Sequence, residues 1–271
     1  MEFLNYWNLK EKPFENTGDP KFFYYSPNHK EAMVRIVYVI KNNKAGALLA
    51  GDYGTGKTTI AKELLAEIEE SGKYRSVYIS NPLLSARELI EEIAIQLGID
   101  DSKASRPKLR RMIEEKLKSM RGDGKHTIII VDEAHLINRK EVLEEIRLLM
   151  NTQYRNSFLA TAVMMGQLEL RDIINAMPQF KQRFAICYVL KHLDESETSK
   201  YVDHRMSIAG GRENIFSEDA KKMIFSYSNG RPRQVNNICD MALLVGSMRR
   251  VSCIDPDIVK DVVKDLGEDG V

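Results

Sequence analysis

The chain has 271 residues, 43% hydrophobic and 29% charged, which is an ordinary globular mix with apolar material for one large domain or a core domain plus a smaller one. Lysine and arginine total 40 against 39 aspartates and glutamates. The balance excludes a protein held to nucleic acid or an anionic membrane by net charge and leaves only local basic patches for that purpose.

The first 20 residues, MEFLNYWNLKEKPFENTGDP, lack a basic-then-apolar signal pattern. No apolar run approaches the ~20 residues that span a bilayer. A soluble protein is expected, with any membrane link made through a partner. The opening segment is aromatic (Phe3, Tyr6, Trp7, Phe14, Phe22, Phe23, Tyr24, Tyr25) and punctuated by Gly18-Asp19-Pro20 and Pro27. An amphipathic helix follows from about His29, with Met33, Ile36, Val37 and Ile40 on one face. AGALLAG (45–51) reads as a short buried strand, and after a glycine-rich loop Ile60, Leu64, Leu65 and Ile68 have helical spacing. YRSVYIS (74–80) alternates as a second strand. SARE (85–88) is a capping box that starts a helix carrying Leu89, Ile90, Ile93 and Leu97, closed by Gly98. Another helix starts near Pro107, and TIIIVDEAH (127–135) is a buried strand ending in acids. KEVLEEIRLLMN (140–151) is helical, while FLATAVMMGQ (158–167) and FAICYVL (184–190) are strands. Four helices follow residue 193.

The fold class expected is therefore α/β: a parallel sheet covered by helices, followed by a small all-α lid domain. The boundaries expected are 1–44 for an N-terminal segment and first helix packing on the core, 45–192 for the α/β core and 193–271 for the helical domain. The cysteines are Cys187, Cys239 and Cys253, an odd count without C-x-x-C spacing. They read as reduced, buried thiols of a cytosolic protein, not as a metal site or disulfide framework.

GDYGTGKTT comprises Gly51, Asp52, Tyr53, Gly54, Thr55, Gly56, Lys57, Thr58 and Thr59, and it fits G-x-x-x-x-G-K-[ST] between a strand and a helix. Backbone N–H groups in such a turn, with the helix N-terminus behind them, hold phosphate. Lys57 is placed to reach the outer phosphates, and the Thr58 hydroxyl to meet Mg²⁺. Asp132 at the end of TIIIV supplies a carboxylate for that Mg²⁺, directly or through water. Glu133 can orient and deprotonate an attacking water, which favours hydrolysis over mere binding. The DEAH tetrad does not make the chain a tandem-motor helicase, because 271 residues with one strand–loop–helix motor do not hold two motors. His135 reads as a turn residue near the site. In GRPR (230–233) a cation either folds back onto the γ-phosphate or caps a helix start in solvent. Arg183 is either a surface arginine or a finger that enters a neighbour's site.

These segments resemble the AAA+ ATPases of the ExeA/GspA group, which includes the short pilus-biogenesis protein MshM. The resemblance covers nearly the whole chain, through YWNLKEKPFENTGDPKFFYYSPNHKEAMVRI, GDYGTGKTT, IIIVDEAH, MMGQLELRD, KQRF, YVDHRMSIAGG and NGRPRQVNNICDMALL. It implies Walker A at 51–59, Walker B at 128–133, a sensor 1 role for Gln167, an arginine-finger role for Arg183 and a sensor 2 role for Arg233. It also implies ATP with Mg²⁺, and a homo-oligomeric ring or filament with sites between subunits. It brings Tyr24 and Pro27 of the opening segment near the adenine. ExeA-type proteins add a membrane segment and a peptidoglycan-binding region, neither of which occurs in these 271 residues, so direct work on peptidoglycan is not expected of them. The same core resembles transposition helpers of the TnsC/TniB type and, more distantly, Orc/Cdc6-type initiators.

Two functions follow as expectations. One is an oligomeric ATPase motor or switch for assembly of a secretion or pilus machine, cytoplasmic and peripheral to the inner membrane through a protein partner. The other is an ATP-dependent DNA-binding regulator of a transposase, with Lys103, Arg106, Lys108, Arg110 and Arg111 as candidate contacts. For that stretch a solvated helix face is preferred, since Glu114 and Glu115 dilute it. Glu133 disfavours a third class, a non-hydrolysing structural nucleotide binder.

Overall fold

The computed structural model describes residues 2–17, 19–101 and 104–267. Gly18 and Lys103, both singled out from the sequence, lie outside them. In chain order the helices are α1 (Glu2–Trp7), α2 (Pro27–Lys41), α3 (Lys57–Ser71), α4 (Ala86–Gln96), α5 (Arg106–Gly122), α6 (Lys140–Met150), α7 (Glu169–Asn175), α8 (Pro178–Lys181), α9 (Glu195–Ile208), α10 (Glu218–Ser228), α11 (Pro232–Met248) and α12 (Pro256–Asp265). The strands are β1 (Gly46–Gly51), β2 (Tyr74–Ile79), β3 (His126–Val131), β4 (Gln153–Tyr154), β5 (Ser157–Phe158), β6 (Ala160–Gly166) and β7 (Phe184–Leu190). Two compact units result. One comprises Asn28–Asp52 and Ile60–Leu190; the other comprises the described residues of Met1–Pro27, Tyr53–Thr59 and Lys191–Val271.

The first unit holds a five-stranded parallel sheet ordered β2-β3-β6-β1-β7. The three inner strands are buried along their whole length and the two edge strands only in part. Alternate residues serve opposite faces. Leu48, Ile129, Val131 and Met164 join a core with Leu89 and Ile93 of α4, Leu109 and Ile113 of α5, and Ile146 of α6. Leu49, Ile128, Ile130, Val163 and Met165 alternate with them and are fully buried too. Covered faces on both sides explain the unbroken apolar runs of the sequence. The Ser85–Glu88 capping box forms as expected and opens α4. Cys187 corrects the expectation of buried thiols: it is exposed on edge strand β7.

The second unit is a helical bundle, α9 to α12, whose core also takes Leu4, Trp7, Leu9, Phe14 and Phe22. The Trp7 indole donates to the Leu243 carbonyl (2.8 Å) and the Tyr6 hydroxyl to that of Val251 (2.7 Å). Arg205, buried in α9, donates to the carbonyls of Pro13 and Glu15, and Phe14 meets Phe216 edge-on. Residues 2–17 and 19–27 are grouped with the helical unit, and Trp7, Phe14 and Phe22 are buried in its core. Tyr24 packs against Tyr201 and His204 of α9.

Candidate functional site

Because the strands of the sheet run in parallel, the residues that follow β1, β3 and β6 emerge at one edge. They are Asp52, the Asp132-Glu133 pair and Gln167. Asp132 is 2% exposed. Its Oδ1 accepts the Glu133 N–H (2.9 Å) and its Oδ2 accepts the Tyr78 hydroxyl (3.2 Å). Burial, reinforced by the charge of Asp132, pushes the Tyr78 phenol up to about 12. Glu133 turns the chain in the left-handed region (φ 48, ψ 32), a conformation uncommon outside glycine and recurrent at functional sites. The turn leaves its carboxylate 38% exposed, with Oε2 at 3.4 Å from His135 Nδ1, a contact without hydrogen-bond geometry. His135 is packed on the end of β6: a Cβ at Gly166 would lie 3.0 Å from the His135 nitrogen and 3.3 Å from its ring. It is therefore fixed beside the acids, as a turn residue and neighbour of the strand that presents Gln167.

In the second unit the loop Tyr53–Thr59 turns through Gly54 (φ 74) and Gly56 (φ 91), values that exclude most side chains. Lys57 begins α3 and is 6% exposed, and Thr55 is 1% exposed, while Thr58 faces solvent. Arg233, in the first turn of α11, lies over the Tyr53 ring with its guanidinium carbon 5.1 Å from the centroid. A Cβ at Gly54 would approach the Arg233 Cβ to 3.3 Å. The cation of GRPR is thus set against the phosphate loop. Arg231 occupies the N-cap position instead. Gly230 accepts the Leu193 N–H at 3.0 Å, so close that a Cβ there would lie 1.8 Å from the Leu193 oxygen.

Arg183 is not brought to this edge. It precedes Phe184, which pairs with Gly46 at the start of β1, so it stands at the opposite end of the sheet from Asp132 and Gln167, about 20 Å away at the rise of a strand. Its Nε is buried without a hydrogen-bond partner among the described residues.

The basic stretch is largely neutralised within the fold. Arg110 makes two hydrogen bonds to Glu145 (2.6 and 3.1 Å), which is 3% exposed; Arg106 approaches the same carboxylate at 3.5 Å, and Lys108 pairs with Asp101 at 2.7 Å. Arg111 is exposed. Charge spent on a buried carboxylate is withdrawn from an outside polyanion.

The donor set fits a nucleotide with Mg²⁺. Gly54 and Gly56 turn the loop at positive φ, α3 starts at the lysine, and an acid lies buried at the end of β3, two strands from β1 in the sheet. Among the described residues no group of three or more His, Cys, Asp or Glu side chains could hold a metal by itself. Mg²⁺ is characteristically held by one or two carboxylates together with phosphate oxygens and water, and the single buried Asp132 suits that role.

Residues 40–174 match the model of an AAA domain. The chain is 33% identical over 251 residues to General secretion pathway protein A of Aeromonas hydrophila, covering 91% of this chain and 45% of that protein. It is 30% identical over 106 residues to ATP-dependent target DNA activator B of Escherichia phage Mu, covering 39% of this chain and 31% of that protein. It thus spans less than half the length of either relative. The Aeropyrum pernix ORC2 protein, solved as ADPNP–ADP complexes, superposes with a TM-score of 0.70 at 14% identity, over 94% of this chain and 72% of that one, a likeness of fold. No helix of the described residues is long and apolar enough to cross a membrane. With its glycine loop, its acid-ended inner strand and its helical C-terminal region, the chain belongs to the AAA+ family of P-loop proteins, in the group of General secretion pathway protein A.

Proposed function

We propose that the chain binds ATP with Mg²⁺ and hydrolyses it as a homo-oligomer, in a ring or filament, acting as a motor or switch for assembly of a secretion or pilus machine. The observation that carries hydrolysis is the pair at the end of β3: a buried Asp132 carboxylate beside a half-exposed Glu133 held in a left-handed turn. In this reading the β1 loop and the β3 acids serve one nucleotide. Main-chain N–H groups of Gly54 to Thr58 and the Lys57 ammonium bind the phosphates. Thr58 and Asp132 hold Mg²⁺, which neutralises phosphate charge when bound. Glu133 takes the proton of the attacking water, and Gln167 orients that water from the end of β6.

Arg233 reads the outer phosphate for the helical region after residue 193, which serves as the lid of a nucleotide-binding core spanning 45–192. Arg183, standing at the far end of its own sheet, completes the site of a neighbouring copy. The secretion or pilus setting, cytoplasmic and reaching the inner membrane through a protein partner, rests on the relationship to General secretion pathway protein A.

Glu133→Gln tests the chemistry: turnover of ATP in the presence of Mg²⁺ falls at least a hundredfold while nucleotide binding is retained. Unchanged turnover overturns the assignment. A second reading, an ATP-dependent regulator of a DNA transposition machine, is favoured by the match to the phage activator. The pairing of Arg106, Lys108 and Arg110 with carboxylates weighs against α5 as its DNA surface. Duplex binding that requires ATP and falls steeply with salt would establish this second reading, and no binding at low salt with ATP and Mg²⁺ would remove it.

A further inference from the structure

Asp132 is held by a residue that the loop and acid motifs do not contain. Tyr78 lies on β2, an edge strand with a single neighbour, β3, and pairs there with Ile130. Its flanking residues Val77 and Ile79 enter the apolar core, so the phenol stands on the opposite face and reaches the end of β3. There its hydroxyl donates to Asp132 Oδ2 at 3.2 Å, long for such a bond, while Oδ1 accepts the Glu133 N–H at 2.9 Å. The carboxylate is thereby fixed through both oxygens.

Tyr78 is in turn clamped. On the open edge of the sheet its N–H donates to Gln96 Oε1 (2.7 Å), and its carbonyl accepts from Gln96 Nε2 (2.9 Å). One side-chain amide from the end of α4 thus replaces a missing strand at that residue. The same Nε2 donates to Glu92 Oε1 at 2.6 Å, which fixes which way the amide faces. A chain of named contacts therefore runs from Glu92 and Gln96 on α4, through Tyr78, to Asp132.

We propose that Tyr78 is a positioning residue for Mg²⁺ binding through Asp132, and that Gln96 holds Tyr78 in the register this requires. The proposal rests on the reading of Asp132 as a metal-holding residue. Groups that orient a ligating carboxylate change metal affinity by about ten- to a hundredfold when removed, and the long bond puts Tyr78 at the lower end.

The test is a titration of MgCl₂ into the full chain with a fluorescent ATP analogue, reading metal-dependent nucleotide binding, alongside the analogue's affinity in EDTA. Tyr78→Phe lowers the apparent Mg²⁺ affinity about tenfold and leaves the EDTA affinity unchanged. Gln96→Leu, which keeps the phenol but releases its backbone, gives a smaller loss of the same kind. Asp132→Asn is the control for the underlying reading. If it leaves the Mg²⁺ dependence as in the parent chain, that reading falls and the proposal with it. If Asp132→Asn weakens Mg²⁺ and both other variants match the parent, Tyr78 does not position the acid. A Tyr78→Phe chain that loses nucleotide equally with and without Mg²⁺ shows a structural role only and also overturns the proposal.

Discussion

Acidification should unlock the sheet through one buried imidazole. His126, the first residue of β3, is 2% exposed. Thr161 donates its hydroxyl to the Lys44 carbonyl (2.7 Å), so its oxygen accepts a hydrogen bond from His126 Nε2–H (2.8 Å). Nδ1 is buried without a hydrogen-bond partner among the described residues and Arg121 adds a nearby positive charge, so a second proton is disfavoured there. Burial first, and Arg121 second, lower the imidazole from 6.5 to about 4. The unfolded chain takes up the proton at the higher pH and the folded chain only at the lower one. The stability linked to His126 is therefore fully present above pH 6.5, is lost as pH falls toward about 4, and is flat below that. At roughly 1.4 kcal/mol per pH unit the loss is about 3 kcal/mol, a large share of the stability of a typical domain.

Urea unfolding at a series of pH values measures this, followed by far-ultraviolet circular dichroism. Fluorescence of Trp7 is unsuitable, since that residue belongs to the helical unit and not to the sheet. The His126→Gln chain should lose the extra acid slope between pH 6.5 and 4, whatever its absolute stability, and the His126 ring of the parent chain should stay neutral by NMR until about pH 4. A ring that titrates near 6.5, or identical slopes in the two chains, would refute the reasoning.

Gly230→Ala sets a methyl 1.8 Å from the Leu193 carbonyl oxygen at a φ of +68 and should cost about 3 kcal/mol or more, lowering the melting temperature read by Trp7 fluorescence by about 6 °C or more. An unchanged melt would mean that the contact opens freely. Tyr53→Leu removes the ring beneath Arg233 and should weaken binding of an ATP analogue two- to fivefold, the equivalent of about 0.5–1 kcal/mol, while sparing ADP. Equal losses for both nucleotides would show that the ring serves the loop and not the arginine. Mixing Arg183→Ala with Lys57→Ala chains should restore part of the ATP turnover that neither has alone. Absence of rescue in mixed assemblies shown to form would place Arg183 outside its neighbour's site.

The inner strands and the phosphate loop were legible because their signals are local. An apolar run such as TIIIV marks a strand buried on both faces, and Gly54, Gly56 and Lys57 carry their meaning in their spacing. The neighbours of those residues were not legible. Tyr78 meets Asp132 only because β2 pairs with β3, and strand order is not written in the alternation of either strand. Arg110 looked available to a polyanion because its partner Glu145 lies 35 residues away on another helix. The aromatic opening announced burial but not its destination. The β4–β5 hairpin escaped notice because two-residue strands show no period, and its turn uses Arg155 and Asn156 at positive φ without a glycine.

The bond between Trp7 and Leu243 has a consequence for how the chain is born. Its two ends are 236 residues apart. A ribosome adding about 5–20 residues per second makes the arm on the order of tens of seconds before the helix that receives it. Until α9 to α12 are made, Leu4, Trp7, Phe14 and Phe22 lack the apolar partners they have in the folded unit, while the sheet is synthesised after them. The helical unit thus closes only after the sheet has been made, since it takes residues from both sides of it in the chain.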